Sequence, residues 1–461
     1  MGKTKSKKRK ILLALAALLL AVLSIAAWQV YPFIPVGSAY KAKIVCSAVF
    51  LSGRDEASVL NEDVHADSGL LRVLDFFDVE VDHENKSVTS SFYGLVSRTA
   101  VFREGIGATL THEVPSDDLR AEKRPVAAPA PLSPDLPWPD GERVDPAGIA
   151  AVDAEVASAF EEPNPDSLLR TRAVVVVHNG RIIAEQYAPG ISRDTPLLGW
   201  SMAKSITNAL AGILEQKKEI TRDSNDLLTL WRQANDPRSK ITLKQLLNMS
   251  SGLEFREVYS GINDVTKMLF QRSDASGFAA AKPLLHQPGT KYEYSSGTSN
   301  IICRVIRETI DDDKLYHAFP YVELFHPIGA TSAVIERDAK GTFIGSSFMY
   351  ATARDWARIG LLYASDGVWN GRRILPEGWV DYSRTPAPAD TEKKHGAHFW
   401  LRFLDKADLP KGTFHMSGHE GQFVTIIPEE KLVVVRLGLT LKSGAWKQED
   451  FVGRIREALG K

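Results

Sequence analysis

The sequence predicts an α/β fold (more strictly α+β) in which one antiparallel sheet is flanked by helices and carries an inserted helical lobe. Two strand-like runs, 173–178 and 181–187, flank the hairpin signal Asn179-Gly180 near the start of the domain, and two more, 422–427 and 431–437, lie near its end. Helical material separates the two pairs. Because strands from both ends of a domain can join one sheet, we expect the helices between them to form the inserted lobe.

The N-terminal region, 1–32, is predicted to be a basic cytoplasmic tail followed by a transmembrane anchor. Six basic residues occupy positions 3–10, and no charged residue occurs from Ile11 to Val30. A run of about 20 apolar residues can cross a bilayer as a helix, and a basic N-terminal flank keeps that end in the cytoplasm. We therefore expect a single-pass protein of the inner (cytoplasmic) membrane, with its catalytic domain on the periplasmic or extracellular side. A cleaved signal peptide, cut near Ala26-Ala27, is the alternative.

Three regions are expected after the anchor. Residues 41–122 form a small segment rich in strand signals, in which no chemistry is visible. Residues 123–143 contain six closely spaced prolines, which block helix and sheet interiors and predict a linker or a strap laid over the next domain. Residues 144–461 are the mixed α/β domain, which is expected to begin with a helix over 146–160 and to end with an amphipathic helix.

Composition and cysteine content narrow the class of protein. With 44% hydrophobic and 25% charged residues and a formal net charge of -1, the chain has a globular composition and no global signal for a nucleic-acid partner. The two cysteines, Cys46 and Cys303, lie far apart in the sequence. We expect two separate buried thiols, and a disulfide in an oxidising compartment is the alternative.

The most informative motif is Ser201-Met202-Ala203-Lys204, which opens a run with helical spacing. Residues three apart share one face of a helix, so the lysine amine can lie beside the serine hydroxyl. An amine that loses its proton through desolvation can then activate the serine without a Ser-His-Asp triad. A second copy, Ser38-Ala39-Tyr40-Lys41, follows the hydrophobic segment without a helical pattern of its own, and we interpret it as a chance match.

Three further motifs fit acyl transfer by a serine and a lysine. Tyr292-Glu293-Tyr294-Ser295-Ser296-Gly297 offers a tyrosine that can carry a proton beside an ammonium group. Ser417-Gly418-His419-Glu420-Gly421-Gln422 precedes a strand-like run, where a backbone N–H could complete an oxyanion hole. The stretch 246–253 is expected to be a helix end capped by glycine. Taken singly, these motifs could equally be a surface tyrosine, a β-turn and a helix cap.

Together and in this order, the motifs resemble those of the serine β-lactamase and penicillin-binding-protein superfamily. The resemblance covers about residues 171–439 and is greatest to class C β-lactamase-like esterases and to 6-aminohexanoate-dimer hydrolase-like enzymes. It implies a β-lactamase-like fold for the catalytic domain. It also implies a serine hydrolase that acts through an acyl-enzyme and needs no metal and no organic cofactor.

The resemblance implies a role for each matching residue. Ser201 would be the acylated nucleophile, Lys204 would help to deprotonate it, and Tyr294 would relay a proton to the leaving group. His419 to Gly421 match the Lys-Thr-Gly element on the strand that lines the site. The oxyanion hole would then consist of the backbone N–H groups of Ser201 and Gln422.

Two departures from the class C pattern affect the expected substrate. Ser296 stands where those enzymes have asparagine, and His419 stands where they have lysine. Because these positions orient a lactam amide and its carboxylate, we expect an ester or linear amide of a small molecule or short peptide rather than efficient β-lactam hydrolysis. The alternatives are a D-aminopeptidase or weak β-lactamase acting on the cell wall, a non-catalytic envelope protein that binds peptidoglycan-like ligands, and a scaffold in which 41–122 acts through a partner.

Two remaining features concern metals and specificity. His395-Gly396-Ala397-His398 has a spacing seen in metal sites, but no third ligand lies near it in the sequence, so we predict no metal site. Substrate specificity is expected to come from lobe loops, here 252–285 and 386–398, whose geometry one sequence does not define.

Overall fold

The structure is a computed structural model that describes residues 10, 12–21, 31–64, 74–145, 147–258, 261–403 and 408–461. The helices within these ranges are α1 Leu12–Ala21, α2 Phe33–Cys46, α3 Glu56–Glu62, α4 Ser116–Ala121, α5 Ala150–Ser158, α6 Ala203–Gln216, α7 Leu243–Leu247, α8 Asp264–Gln271, α9 Ala275–Ala280, α10 Ser296–Ile310, α11 Asp313–Pro320, α12 Ala353–Ala364, α13 Trp379–Ser383 and α14 Gln448–Ala458. The strands are β1 Phe77–Asp82, β2 Ser87–Phe92, β3 Val96–Arg103, β4 Gly107–Leu110, β5 Thr171–His178, β6 Arg181–Tyr187, β7 Leu197–Leu198, β8 Val334–Ile335, β9 Met349–Ala351, β10 Val368–Trp369, β11 Arg372–Arg373, β12 Phe414–Gly418, β13 Gln422–Ile427 and β14 Leu432–Gly438.

The central sheet is antiparallel and has the order β12-β13-β14-β5-β6. It joins the two strands at the start of the domain to the strands at its end, which confirms the predicted sheet and its flanking helices. Asn179 and Gly180 both have positive φ (52° and 76°), as a tight two-residue hairpin requires. Strand β12 was not predicted, and it forms one edge of this sheet.

Both faces of the sheet are buried, because each is covered by helices. On β5, Val175 and Val177 belong to the main core, while Val174 and Val176 pack with α5 and α14 on the opposite face. Helix α12 lies so close to the main-core face that a Cβ on Gly360 would lie 2.6 Å from Val433 Cγ1. A strand buried on both faces needs apolar side chains at every position, which accounts for the continuous valine run of β5.

The N-terminal segment is a four-stranded antiparallel sheet, β1-β2-β3-β4, covered by α2. Helix α2 also contacts α8, so it lies between this small sheet and the helical lobe. The second Ser-x-x-Lys copy lies within α2, although its sequence has no helical pattern of its own. Ser38 Oγ donates to Val96 O (3.1 Å), and Lys41 Nζ donates to Phe77 O (3.1 Å), so both side chains hold the helix to the sheet.

The predicted anchor is only partly within the described residues. Helix α1 covers 12–21 and exposes its leucines, and the remainder of 11–30 lies outside the described residues. Among described helices, Phe33–Leu51, in which α2 continues as a π-helical turn, has the length and composition to cross a membrane, with a mean hydropathy of 1.3. However, 67% of it is buried within the protein. This packing is that of a core helix in a globular protein. The case for a membrane crossing by this helix therefore rests on its length and composition alone.

The proline-rich residues form a strap along α12. Trp138 is buried, and Arg358 of α12 donates to the carbonyl oxygens of Pro139 (3.1 Å) and Gly141 (2.8 Å). Arg354, one turn earlier, donates to the Glu142 carboxylate at 2.7 Å. This region was predicted as a linker or a strap, and its contacts are those of a strap.

Local predictions had mixed outcomes. The helix expected over 146–160 spans Ala150–Ser158, and the C-terminal amphipathic helix is α14. The helix end in 246–253 is not capped by glycine: α7 ends at Leu247, because Asn248 and then Met249, with a φ of 53°, leave the helical conformation first. Cys46 and Cys303 are both buried free thiols, as expected.

Candidate active site

Ser201 lies in a strained turn between β7 and α6. A 3-10 turn, Trp200–Met202, leads directly into α6, and Trp200 has a φ of 47°, in the left-handed region that a bulky residue rarely adopts. A hydrogen bond and a close backbone approach hold this turn. Trp200 Nε1 donates to Glu420 Oε2 at 2.9 Å. The backbone of Gly418 lies so close to Gly199 O that a Cβ on Gly418 would be only 2.1 Å from that oxygen. The end of β12 and the following loop therefore fix the backbone that presents Ser201.

Lys204 lies beside Ser201 in the interior, as their spacing on a helix predicts. It is 2% exposed, and its Nζ donates to Ser201 Oγ (2.9 Å), Ser296 Oγ (2.9 Å) and Ser346 O (3.0 Å). Three acceptors satisfy the three N–H bonds of the ammonium form. The structure thus brings Ser201, Lys204 and Ser296 together across 95 residues of sequence.

Burial changes the acidity of Lys204. Desolvation lowers the pKa of its ammonium to about 8, and the negative charge of Glu257 acts in the opposite direction. An amine with this pKa is partly neutral near neutral pH, unlike a solvent-exposed lysine. In the neutral form Nζ carries a lone pair 2.9 Å from Ser201 Oγ and can accept the hydroxyl proton.

Tyr294 forms one wall beside Lys204. Lys204 Nζ lies 4.9 Å from the centroid of the Tyr294 ring, which packs at 5.8 Å against His395 and at 5.5 Å against Trp400. The next residue, Ser295, caps α10 by accepting a hydrogen bond from the backbone N–H of Thr298 (3.1 Å). The Tyr294-Ser295-Ser296 motif therefore sits at the N-terminus of α10, a rigid support for groups that must hold position.

Glu257 is a site residue that the sequence analysis missed. Its carboxylate accepts hydrogen bonds from the backbone N–H of Ser296 and, at 2.9 Å, from Ser296 Oγ. It lies in the loop 252–285 that was predicted to define specificity, but no motif marks it. A single glutamate 39 residues before its partner gives no signal in one sequence, because only the folded loop brings the two together.

The loop 419–421 joins β12 to β13 beside the turn that carries Ser201. Gln422 begins β13, and its side chain bonds to the backbone of Gly438, donating to O (2.6 Å) and accepting from N (3.1 Å). Gly421, with a φ of 83°, is held through its carbonyl oxygen by Arg436 (2.7 Å). The His419 ring lies 5.8 Å from Trp200, and its side chain is 41% exposed. The side chains of His419 and Glu420 contact the turn that carries Ser201 through Trp200.

His395 and His398, the pair with the spacing of a metal site, are both buried. His398 bonds through Nδ1 to Leu247 O and through Nε2 to Ser299 Oγ, both at 2.8 Å. Burial lowers the pKa of each imidazole to about 3, so both are neutral at physiological pH. Within the described ranges, no group of three or more His, Cys, Asp or Glu side chains is placed to hold a metal ion.

Comparison with known proteins adds to this geometry. The family model described as Beta-lactamase matches residues 158–449, which is more than half of the chain. The 6-aminohexanoate-dimer hydrolase of Paenarthrobacter ureafaciens is 24% identical over 227 residues, covering 46% of this chain and 56% of that enzyme. This chain therefore spans about half the length of that relative. An uncharacterized protein of Alkalihalophilus pseudofirmus is 22% identical over 284 residues, covering 57% of this chain and 82% of that protein.

Solved structures share the fold. A family VIII carboxylesterase superposes with a TM-score of 0.54 at 16% identity, covering 68% of this chain and 97% of its own. A penicillin-binding protein homologue from Caulobacter crescentus superposes with a TM-score of 0.53 at 15% identity, covering 69% and 98%. The matched family, the shared fold and the Ser201–Lys204 pair agree: the chain belongs to the Beta-lactamase family and is a serine hydrolase.

Proposed function

We propose that this protein hydrolyses ester or linear amide bonds of small molecules or short peptides through an acyl-enzyme on Ser201. The observation that carries the proposal is the buried Lys204 Nζ, 2.9 Å from Ser201 Oγ, with a pKa lowered to about 8. A non-catalytic binding protein would have no need of a desolvated amine beside a serine hydroxyl. Burying the Lys204 amine destabilises its charged form and adds no contact for a ligand.

The reaction starts with neutral Lys204. As Ser201 Oγ attacks the substrate carbonyl carbon, its proton moves to Lys204 Nζ and a tetrahedral oxyanion forms. Collapse of this intermediate expels the alcohol or amine, which takes a proton delivered through Tyr294, and leaves the acyl group on Ser201. Water then attacks the ester carbonyl and gives up one proton to the same groups, which releases the acid and restores Ser201.

The oxyanion hole is proposed to include the backbone N–H groups of Ser201 and His419. The resemblance assigns the second group to Gln422, the first residue of the inner strand β13, and we propose His419 in its place. His419 directly follows Gly418, whose backbone lies against the residue before Trp200. Loss of one such donor typically costs about 3 kcal/mol of transition-state stabilisation.

Two observations support ester or linear amide substrates. Ser296, in place of the asparagine of class C enzymes, is committed to Lys204 and Glu257 through its hydroxyl group. Among the matched proteins, one is named for hydrolysis of a 6-aminohexanoate dimer and one is a carboxylesterase. Both names describe substrates without a strained lactam ring.

We also propose that the N-terminal segment anchors the protein in the inner membrane with the catalytic domain outside the cytoplasm. Helix α1 exposes leucines along its length, for example Leu12 (67%) and Leu20 (64%). Just beyond the apolar run, Tyr31 is 64% exposed, as suits an aromatic residue at the membrane interface. If the full-length protein leaves the membrane fraction during alkaline carbonate extraction, the anchor is wrong.

The proposed activity is tested by turnover of matched esters, anilides, D-amino-acid peptides and a chromogenic cephalosporin by the full chain in detergent. We expect ester or anilide hydrolysis that Ser201→Ala abolishes. Ser38→Ala, which changes the serine of the second Ser-x-x-Lys copy, is the control and should keep wild-type turnover. Faster turnover of the cephalosporin or of D-amino-acid peptides would favour the alternative cell-wall activity, and no Ser201-dependent turnover of any substrate would contradict the proposal.

A further inference from the structure

Glu257 stands at the end of a continuous hydrogen-bonded chain that starts at the nucleophile. Ser201 Oγ accepts from Lys204 Nζ, which also donates to Ser296 Oγ, and Ser296 Oγ in turn donates to Glu257 Oε1, each at 2.9 Å. The second carboxylate oxygen accepts from the backbone N–H of Ser296. One carboxylate therefore fixes both the hydroxyl and the backbone of the residue that holds the lysine.

The position of the carboxylate is set by α10. Ser296 is the first residue of this 15-residue helix, so its N–H is one of the backbone donors that the helix itself leaves unpaired. A carboxylate at that end also interacts favourably with the helix dipole. Because the Ser296 hydroxyl donates its proton to Glu257, the lone pairs of Ser296 Oγ are available to accept from Lys204.

Other titratable groups near Lys204 are poor sources of negative charge. Tyr294 presents its ring to Nζ at 4.9 Å from the ring centroid, and His395 and His398 are imidazoles that burial keeps neutral at physiological pH. Ser346 contributes a backbone carbonyl oxygen. Among the described residues, Glu257 is the carboxylate whose charge acts on Lys204.

We propose that Glu257 is a positioning residue for the proposed reaction: acting through Ser296, it orients Lys204 and stabilises the positive charge that Lys204 gains when it takes the Ser201 proton. This inference rests on the proposed roles of Ser201 and Lys204. The charge on Nζ is greater in the transition state than in the reactive ground state, in which Lys204 is neutral. An interaction that strengthens in this way raises the rate of the chemical step.

The proposal predicts two linked effects of removing the charge with Glu257→Gln, which keeps the size of the side chain. The ammonium form of Lys204 loses its stabilising anion, so the midpoint of the acid limb moves to lower pH, by about half a unit or more for charges separated by one hydroxyl group. The plateau at high pH falls by about threefold or more, because the transition state loses the same interaction and half a pKa unit corresponds to a threefold change. A lower midpoint together with a lower plateau is the signature of this role.

The experiment measures the rate at which a fluorophosphonate labels Ser201 from about pH 5.5 to pH 10 in the full-length protein, alongside kcat/KM for an ester. Glu257→Asp should restore part of the wild-type profile. Glu254→Gln is the matched control, since Glu254 is an exposed glutamate of the same loop. Thermal unfolding of each variant shows whether it is folded.

The outcomes separate this inference from the proposed function. A folded Glu257→Gln protein whose midpoint equals that of the wild type would overturn the role of Glu257, even if its melting temperature were lower. A wild-type protein that is not labelled at Ser201 would overturn the proposed function and this inference with it. A midpoint lowered in Glu257→Gln but unchanged in Glu254→Gln would support the inference.

Discussion

The N-terminal segment is joined to the hydrolase domain by a buried ion pair. Lys43 of α2 and Glu336, just after β8, form a salt bridge with side chains that are 2% and 0% exposed. Glu336 also accepts from Ser47 Oγ (2.8 Å) and from the backbone N–H of Ala108 on β4 (2.6 Å), and Lys43 Nζ lies 4.3 Å from the centre of the Phe348 ring. We predict that Lys43→Met strongly destabilises the whole protein, catalytic domain included.

The magnitude follows from the geometry. Lys43→Met leaves the carboxylate of Glu336 buried without its counter-charge, and breaking a buried pair in this way costs about 3–5 kcal/mol. Single domains have total stabilities of roughly 5–15 kcal/mol, so the loss is a large fraction of the whole. Adding Glu336→Gln removes the stranded charge and keeps an acceptor for Ser47 and Ala108. The double variant should therefore be more stable than Lys43→Met alone.

The assay is urea unfolding of the full chain in detergent, followed by circular dichroism and by esterase activity. The account predicts that structure and activity are lost together in Lys43→Met, at a lower urea concentration than in the wild type. Lys41→Met, two residues earlier in the same helix, is the control, because Lys41 donates to the backbone carbonyls of Leu74 and Phe77 and, among the described residues, pairs with no buried carboxylate. Wild-type stability of Lys43→Met, or strictly additive losses in the double variant, would refute the reasoning.

Three further predictions concern the site itself. Because the pKa of Lys204 is lowered to about 8, a pH–rate profile should show kcat/KM rising with pH through that value, with about one tenth of the plateau at pH 7. Lys204→Arg should remove the activity at every pH, because its guanidinium stays protonated. Tyr294→Phe should lower kcat by about 10²–10⁴-fold with little change in KM, measured with an ester whose leaving group needs a proton; an unchanged kcat would exclude a proton relay through Tyr294. Trp200→Phe removes the hydrogen bond to Glu420 and should cost about 1.5–3 kcal/mol in thermal or urea unfolding, and unaltered stability would show that this bond does not hold the turn.

The elements that could be predicted are those whose signal is local. The Asn179-Gly180 hairpin defines β5 and β6, because only a tight turn with two positive φ values joins these strands. The spacing of Ser201 and Lys204 fixes their contact, since both lie in one helical turn. In such cases a few adjacent residues contain the whole physical cause.

The elements that could not be predicted depend on distant partners. Helix α2 is covered by the small sheet on one side and by α8 on the other, so its sequence lacks the polar face that marks an amphipathic helix. Strand β12 alternates between apolar Phe414 and Met416 and polar His415 and Ser417, but it is only five residues long, so the pattern does not stand out in the sequence.

Contacts within the candidate site also depend on residues that are distant in the sequence. Ser296 was singled out as a departure from the class C pattern, but its hydrogen bond to Glu257 spans 39 residues and depends on the folded loop. The pair Lys43–Glu336 spans 293 residues, so the sequence divided the chain into separate regions where the structure has a shared buried interface. Pairing between distant charged side chains is decided by packing, which a single sequence does not reveal.

The central claim is that Lys204 activates Ser201, and one measurement tests it most directly. The intact mass of the full-length protein is recorded after reaction with a fluorophosphonate, for the wild type, Ser201→Ala and the control Ser38→Ala. The account predicts one adduct on the wild type and on Ser38→Ala, and none on Ser201→Ala. A folded wild-type protein without an adduct, or an adduct that persists in Ser201→Ala, would contradict it.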